Sequence, residues 1–382
     1  METTNIKLPI KICSRCVMDS TDKKISFNND NLCDYCQNFD SRIKSKIIKH
    51  NKLNIKLSKL TQKIKANNQS KYDCLIGISG GVDSSFLAHY IKTELKLNPL
   101  VLHVDTGWNS VNSVSNIEKI VDGLELDLIT IVIPWREMRD LQLSFFRAQH
   151  PNLDIPQDHA IFASIYNYAA KNKIKYIFTG GNFATECIRE PLEWAYHASD
   201  LKHIKEIHKI FGKEKLEKFP LCDIFKYKIF YRFFKGIKVI QPLNEIEFNK
   251  EKSIELLQKK YGWIKYEHKH YESRFTKFYE GFWLLKKFGF DKRKAHLSSL
   301  ILSNQIKREE ALKILSNDPI NEIDAKNEFN FVCKKLEITE NELNNIMQSK
   351  NKMFSDYKSN YHLIQFFVKI SRFLRIENRL IR

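Results

Sequence analysis

Between residues 71 and 245, short apolar runs alternate with stretches of helical period. Tyr72–Ile78 (YDCLIGI) is apolar and stops at Ser79-Gly80-Gly81-Val82-Asp83-Ser84, after which Ser85–Leu95 carries a helical pattern. Leu100–Val104 (LVLHV) predicts a second strand ending at Asp105-Thr106-Gly107, and Leu128–Ile133 (LITIVI) a third, stopped by Pro134. Asp158 begins a predicted helix to about Lys171, with Ile161, Ile165, Tyr168 and Ala169 on one face. Tyr176–Thr179 predicts a fourth strand, followed by Gly180-Gly181-Asn182, and Lys238–Ile240 a fifth. Strands spaced by helices predict an α/β fold with a doubly wound parallel sheet. Ligands of such sheets sit beyond the carboxyl ends of the strands. The loops after strands one, two and four are therefore expected to face one crevice.

The flanking regions read differently. Residues 1–40 hold half of the eight cysteines, 41–70 read as a basic helical linker, and 246–382 are mostly helical and rich in aromatics. No internal repeat is visible. Of the 382 residues 43% are apolar, enough for a sizeable core, and none of the runs reaches the ~18 residues of a membrane span. The opening METTNIKLPIKICSRC has no long apolar region, so no secretory signal is expected and a cytoplasmic, reducing setting is. The 63 basic and 45 acidic residues leave a formal charge of +18. Ser41–Lys71 holds ten Lys/Arg and no acid. A solvated lysine-rich helix is the expectation there rather than a nucleic-acid footprint. A basic balance also suits an anionic small substrate.

Cys13-x-x-Cys16 and Cys33-x-x-Cys36 lie sixteen residues apart. Two such knuckles match a four-thiolate zinc site, which leaves no open position for water and is structural. It would substitute for a core that 40 residues cannot build.

The hexapeptide Ser79–Ser84 sits between a strand and a helix. Gly80 and Gly81 permit close backbone approach to an anion, and loop N–H groups with the following helix N-terminus supply converging positive charge. The Ser79 and Ser84 hydroxyls can donate to phosphate oxygens. Asp83 alone would repel phosphate, so a bridging Mg²⁺ is implied. The lysine of a Walker A loop is absent.

This hexapeptide resembles the signature of the PP-loop ATPases, a HUP-like superfamily that cleaves ATP between the α and β phosphates. Six further blocks, CSRCVMDSTDKKISFNNDNLCDYC, HVDTGWNS, IPQDHAIFASIY, YIFTGGNFATE, GWIKYEHKHYESRFTKFY and KFGFDKRKAHLSSLILSNQIKREEAL, resemble the N-acetyl sugar amidotransferases of the WbpG/PseA type in bacterial surface-glycan synthesis. The resemblance runs from about Cys13 to Tyr357. It implies ATP, Mg²⁺ and structural Zn²⁺, a nucleotide-activated N-acetyl sugar as substrate, and conversion of its acetamido group to an acetamidino group through an adenylated imidate and ammonia.

The resemblance also implies roles. Ser79, Gly80, Gly81, Val82, Asp83 and Ser84 would hold the departing pyrophosphate. Val104, Asp105 and Gly107 would frame adenine and ribose. Gly180, Gly181 and Asn182 would line the α-phosphate or sugar. Asp158 and His159 are candidate substrate contacts, although capping or packing would equally explain His159. The Lys269–Arg274 and Asp291–Ser298 blocks are dense in donors and are expected to close over the crevice. Lys269, Arg274, Lys292 and Arg293 are candidates to stabilise the transferring phosphate, and His270, Glu272 and His296 to contact the sugar nucleotide. Glu186 or Glu272 could take a proton from the attacking ammonium. No glutaminase motif is visible. A separate glutaminase subunit like that of histidine biosynthesis (HisH-like) is therefore expected, with a cyclase-like (HisF-like) subunit in some systems.

The rival is a PP-loop tRNA thiolase, which would require reactive cysteines at the crevice. Cys187 and Cys222 are the candidates, Cys74 and Cys333 reading as core. Lys226–Lys235 (KYKIFYRFFK) interleaves aromatic and basic residues, as membrane-surface or single-strand RNA sites can. The tail carries Lys369, Arg372, Arg375, Arg379 and Arg382 on one predicted helical face and apolar residues on the other, the usual mark of packing with a solvated basic side.

Overall fold

The computed structural model describes residues 9–47, 50–66 and 70–373. Five strands, β1 (Cys74–Gly77), β2 (Pro99–Asp105), β3 (Asp127–Val132), β4 (Tyr176–Phe178) and β5 (Lys238–Ile240), form one sheet in the order β3-β2-β1-β4-β5. Every pairing is parallel. All five lie where the apolar runs predicted them, within two residues at either end. The first three strands wind outward in one direction and the last two in the other. The winding therefore reverses between β1 and β4, the position where such sheets bind ligands.

Strand side chains alternate between two cores, as the two-residue period requires. Cys74, Ile76, Ile78, Val101 and Phe178 pack with Leu87, Ile117 and Leu257 from the helices Val82–Thr93, Val111–Gly123 and Lys250–Tyr261. Leu75, Leu100, Leu102 and Ile177 pack on the other face with Met138, Ala163 and Ile204 from Trp135–Arg147, Ile155–Lys171 and Leu201–Phe211. Both faces are thus covered, and the strands read as continuous apolar runs. The helix expected to begin at Asp158 begins at Ile155, with Pro156 in its first turn, where a missing N–H costs nothing.

The predicted linker is not a free connector. His50–Ala66 is helical, and Ile64 is buried in the same core as Cys74, Ile76 and Leu87. Lys59, Lys63 and Lys65 of this helix are exposed. Nor does the cysteine-rich segment stand apart. Val17 donates its N–H to Ser298 Oγ (3.1 Å), Lys294 pairs with Asp19 (2.6 Å), and the Arg308 guanidinium donates to the carbonyls of Cys13 (2.9 Å) and Cys16 (3.2 Å). The knuckles are docked on the helices Arg293–Leu302 and Arg308–Leu315. The region beyond 246 is helical as expected. Arg375, Arg379 and Arg382 lie outside the described residues.

Ile64→Ala is expected to cost about 2–5 kcal/mol, the range for truncating a well-packed core isoleucine, read as a lower urea midpoint. An unchanged midpoint would show that residues 50–66 are a linker after all.

Candidate nucleotide and metal sites

The loop Ser79–Ser84 stands at the reversal between β1 and β4. Gly80 has φ +81°, and a Cβ there would lie 2.5 Å from the Ser113 carbonyl oxygen, so both backbone angle and space demand glycine. Its own carbonyl accepts from Trp263 Nε1 (3.1 Å) and the Tyr266 hydroxyl (3.2 Å). The C-terminal region thereby fixes the orientation of the loop. Ser84 Oγ lies 3.3 Å from both the Ser79 N–H and Ser79 Oγ. The end of β4 presses against the loop, since a Cβ on Gly180 would sit 2.9 Å from the Asp83 carbonyl carbon. Asn182 donates its side-chain N–H to Asp83 Oδ1 (3.3 Å), and its side-chain Oδ1 caps Phe183–Glu186 by accepting the Thr185 N–H (2.9 Å). Val104, Asp105 and Gly107 end β2 beside the loop, where Asp105 Oδ1 accepts from the Gly107 N–H (2.8 Å) and Asn109 (3.0 Å).

A segment from beyond residue 260 closes this site. Glu272 accepts the Ser110 N–H on its carbonyl (2.9 Å), and Arg274 donates its N–H to the Trp108 carbonyl (2.8 Å). These bonds lay the segment alongside the loop that follows β2. Lys269 Nζ is 2.6 Å from Glu186 and 3.9 Å from Asp83. The Glu272 carboxylate is 3.5 Å from Ser79 Oγ, and Oε1 would be 2.7 Å from a Cβ on Gly81. Deeper along the crevice Lys292 Nζ pairs with Glu280 (2.6 Å) and Glu190 (3.7 Å). Asp158 is solvent-exposed and feels the charges of Lys292, Glu280 and Glu190.

The electrostatics follow from this crowding. Burial raises Asp83, against the opposing pull of Lys269. Burial likewise raises Glu272 to about 7, with Lys269 opposing and Asp83 and Glu280 adding to the rise. Desolvation raises Asp158 to about 6 despite Lys292. Burial would pull Lys269 down, but Glu186 and Asp83 hold it above the ordinary lysine range. His270 is lowered to about 3 by burial and by Lys269 and Lys292, and His296 well below its usual value by burial with Lys269 and Lys250. Both imidazoles are neutral near pH 7. The site thus pairs fixed cations with carboxyl groups that can hold a proton.

Three predicted site residues are placed elsewhere. The Arg274 guanidinium pairs with Glu328 (3.0 Å) and stacks 3.4 Å over the Phe331 ring, tying two helices together. Arg293 is held by Asp291 (2.7 Å) and by the carbonyls of Ile314 and Asn317. His159 is fully buried: Nδ1 meets the Ala198 carbonyl (2.6 Å) and Nε2 accepts the Cys222 N–H (3.2 Å), so packing explains it. His296 reaches the crevice through Lys250 Nζ (3.4 Å) while its Nδ1 meets the Thr185 carbonyl (3.2 Å). Lys250, Glu190, Glu280, Trp263 and Tyr266 join the site without having been singled out in the sequence. Of these only Trp263 and Tyr266 carried a signal, as part of the GWIKYEHKHYES block.

The thiols expected of a thiolase are not reactive groups here. Cys187 is buried against the Ser299 carbonyl, and Cys222 is buried in the main core. Burial raises each to about 12, keeping both protonated.

Cys13, Cys16, Cys33 and Cys36 are fully buried, with all four Sγ atoms within 4.8 Å of one another. Two of their separations are 3.8 and 3.6 Å. A tetrahedron with metal–sulfur bonds of about 2.3 Å has sulfur–sulfur edges of about 3.8 Å. The N–H groups of Arg15 and Cys33 point at Cys13 Sγ (3.4 and 3.3 Å), and that of Met18 at Cys16 Sγ (3.4 Å), which favours thiolates. The four sulfurs fit a single tetrahedral ion. A multi-iron cluster, with several atoms between the sulfurs, needs a wider cage.

Fold and site together define an α/β protein whose glycine loop after β1 stands where the winding of a parallel sheet reverses. Over residues 272–371 the chain matches the family described as LPS biosynthesis protein WbpG-like, C-terminal domain. An uncharacterized protein of Methanocaldococcus jannaschii (MJ1599) is 27% identical over 188 residues, spanning 47% of this chain and 63% of that relative. This match therefore covers less than two thirds of the relative's length. Solved structures with some likeness include the U34-tRNA thiolase NcsA of Methanococcus maripaludis with its [4Fe-4S] cluster (13% identity, 78% of this chain and 82% of that one, TM-score 0.34). NMN synthetase of Francisella tularensis (15%, 79% and 97%, TM-score 0.32) and NH3-dependent NAD synthetase of Campylobacter jejuni (17%, 75% and 94%, TM-score 0.29) are others. Scores at this level carry no inference about activity.

Glu272 supplies a pH prediction. Its carboxyl is raised above the ordinary glutamate value, so the folded chain keeps a proton there up to about pH 7 and loses that stabilisation as pH rises through it. A phosphate at the loop is repelled by the ionised form only. Pyrophosphate binding measured without divalent cations should therefore weaken, relative to Glu272→Gln, by up to about tenfold as pH rises through 7. Parallel pH profiles for the two proteins would remove Glu272 from the anion site.

Proposed function

We propose that this protein is an ATP-dependent amidotransferase that converts the acetamido group of a nucleotide-activated N-acetyl sugar to an acetamidino group, in bacterial surface-glycan synthesis. The observation that carries this reading is the position of Glu272. It is the first residue of the WbpG-like region, and its carboxylate lies on the nucleotide loop. Family domain and loop therefore line one crevice.

An amide oxygen is a poor leaving group, and adenylation remedies that. The amide oxygen attacks the α-phosphorus of ATP, the bond from that phosphorus to the bridging oxygen breaks, and pyrophosphate leaves. Ammonia then adds at the imidate carbon, AMP departs with the former amide oxygen, and a proton is released with the amidine. The loop N–H groups and the hydroxyls of Ser79 and Ser84 would hold the pyrophosphate, and Lys269 would stabilise charge on the phosphorus oxygens. Asp83 and its neighbours could hold Mg²⁺, which would neutralise phosphate charge when bound. Glu272 and Asp158, both raised toward neutrality, suit the uptake of the released proton. Ammonia would come from a separate glutaminase subunit of the histidine-biosynthesis kind. The four thiolates would hold Zn²⁺, fixing the knuckles against the helix that carries Lys294 and His296.

The test supplies the purified protein with ATP, Mg²⁺, ammonium at high pH and a panel of nucleotide-linked N-acetyl sugars. Mass spectrometry should find a sugar product lighter by the difference between O and NH, with AMP and pyrophosphate, and Asp83→Asn should lower turnover by about 10²-fold or more. AMP release that instead requires tRNA and a sulfur donor would replace this reading with thiolation. Metal analysis should find one zinc per chain, and Cys13→Ser or Cys33→Ser should lose it together with solubility. Retention of zinc in both variants would refute the assignment of these ligands.

A further inference from the structure

We propose that the aromatic–basic surface formed by Lys226–Phe234 and the helix Tyr361–Phe373 docks the protein on an anionic membrane surface. Lys226–Phe234 is a nine-residue π-helix, a rare geometry. Phe225, Phe230, Phe233 and Phe234 are 51%, 42%, 68% and 74% exposed. On the neighbouring helix Phe366 is 57% exposed. The two elements are joined by Ile224 packed with Ile364 and Val368, and by an edge contact between Phe225 and Phe367 at 6.0 Å. Their exposed rings therefore belong to one surface. Contiguous exposed apolar area of this kind marks an interaction site, whereas isolated exposed residues do not.

The charge on this surface selects the partner. Lys226, Lys228, Arg232 and Lys235 alternate with the rings, and no acidic residue occurs from 224 to 240 or from 357 to 376. Arg232 and Lys235 lie 5.9 and 5.6 Å from the Phe233 and Phe230 ring centroids. Each long side chain thus runs along an aromatic ring. Rings that enter the acyl boundary, with cations at the level of lipid phosphates, are the pattern of interfacial docking. A protein partner would have to supply an acidic apolar face, whereas a lipid surface rich in phosphate supplies both features uniformly. The surface is a different element from those that line the nucleotide crevice, so this inference stands independently of the proposed reaction.

The full-length chain would be floated with vesicles of phosphatidylcholine alone and of phosphatidylcholine with about 30% phosphatidylglycerol. Binding to the anionic vesicles should exceed binding to the neutral ones by about tenfold or more at low salt and fall at high salt. Phe233→Ser/Phe234→Ser keeps every charge and removes two exposed rings, so it should fold with an unchanged melting temperature and lose most of the binding. Arg232→Glu/Lys235→Glu should lose it as well. Several outcomes would overturn the proposal: no flotation with anionic vesicles, equal binding to both vesicle types, or undiminished binding of the double serine variant, which would mean adsorption by net charge. A wild-type dimer that the serine variant dissociates would assign the surface to a second copy of the chain. Binding to single-stranded RNA but not to vesicles would assign it to nucleic acid.

Discussion

The carbonyl of Gly80 is the point on which the site depends. A loop that turns its N–H groups toward an anion must turn its carbonyls away, and each buried carbonyl then needs a donor. Trp263 Nε1 and the Tyr266 hydroxyl supply two donors to this one oxygen from more than 180 residues along the chain. The φ of +81° at Gly80 is the conformation that makes this possible. Loop geometry and C-terminal docking are therefore one constraint: the sheet provides the turn, and the C-terminal region holds it open toward ligand.

From that anchor the chain continues to Lys269 and Glu272, and on to the helix Arg274–Phe278. The same short stretch thus fastens the loop, delivers a lysine to Asp83 and Glu186, and enters the family-specific region. A change in how that region packs would be transmitted to the loop through covalent continuity and two hydrogen bonds. The cysteine knuckles reach the site by a parallel route. They rest on the helix Arg293–Leu302, whose His296 meets Lys250 and the Thr185 carbonyl beside Asn182. Metal centre and nucleotide loop are thereby linked through one helix.

The strands were legible because a doubly covered parallel sheet forces continuous apolar runs, and the loop because glycine at Gly80 is demanded by backbone sterics that few other residues meet. The four cysteines were legible because metal ligation needs fixed spacing. The arginines misled for a physical reason. Arg274 and Arg293 stand in blocks dense with donors; Glu328, the partner of Arg274, is specified by tertiary packing, which leaves no local pattern, whereas Asp291 holds Arg293 from within the same block. Ile64 was hidden among lysines, its helix reaching the core through Leu60 and Ile64, with Leu57 also buried. Trp263 and Tyr266 stood in a family-like block, but their role did not show there, since a hydrogen bond to a distant carbonyl has no periodicity.

The distribution of charge bears on how the crevice can bind an anion. The chain as a whole is +18, and its sequence suggested a basic site. The crevice is the opposite: Asp83, Asp158, Glu186, Glu190, Glu272 and Glu280 face Lys250, Lys269 and Lys292, with Arg189 near Glu186. The surplus positive charge lies on the connector, the aromatic–basic surface and other outer faces. A polyphosphate entering this crevice with every carboxylate ionised would meet net repulsion in a medium that screens poorly. Two physical remedies exist, a bound cation and carboxyl groups that remain protonated. The burial that raises Glu272 to about 7 leaves that carboxyl partly protonated near neutral pH, and Asp83 and Asp158, where ionised, would attract the first. An acidic crevice in a basic protein is in that sense suited to a ligand that brings its own metal ion and leaves as two anions.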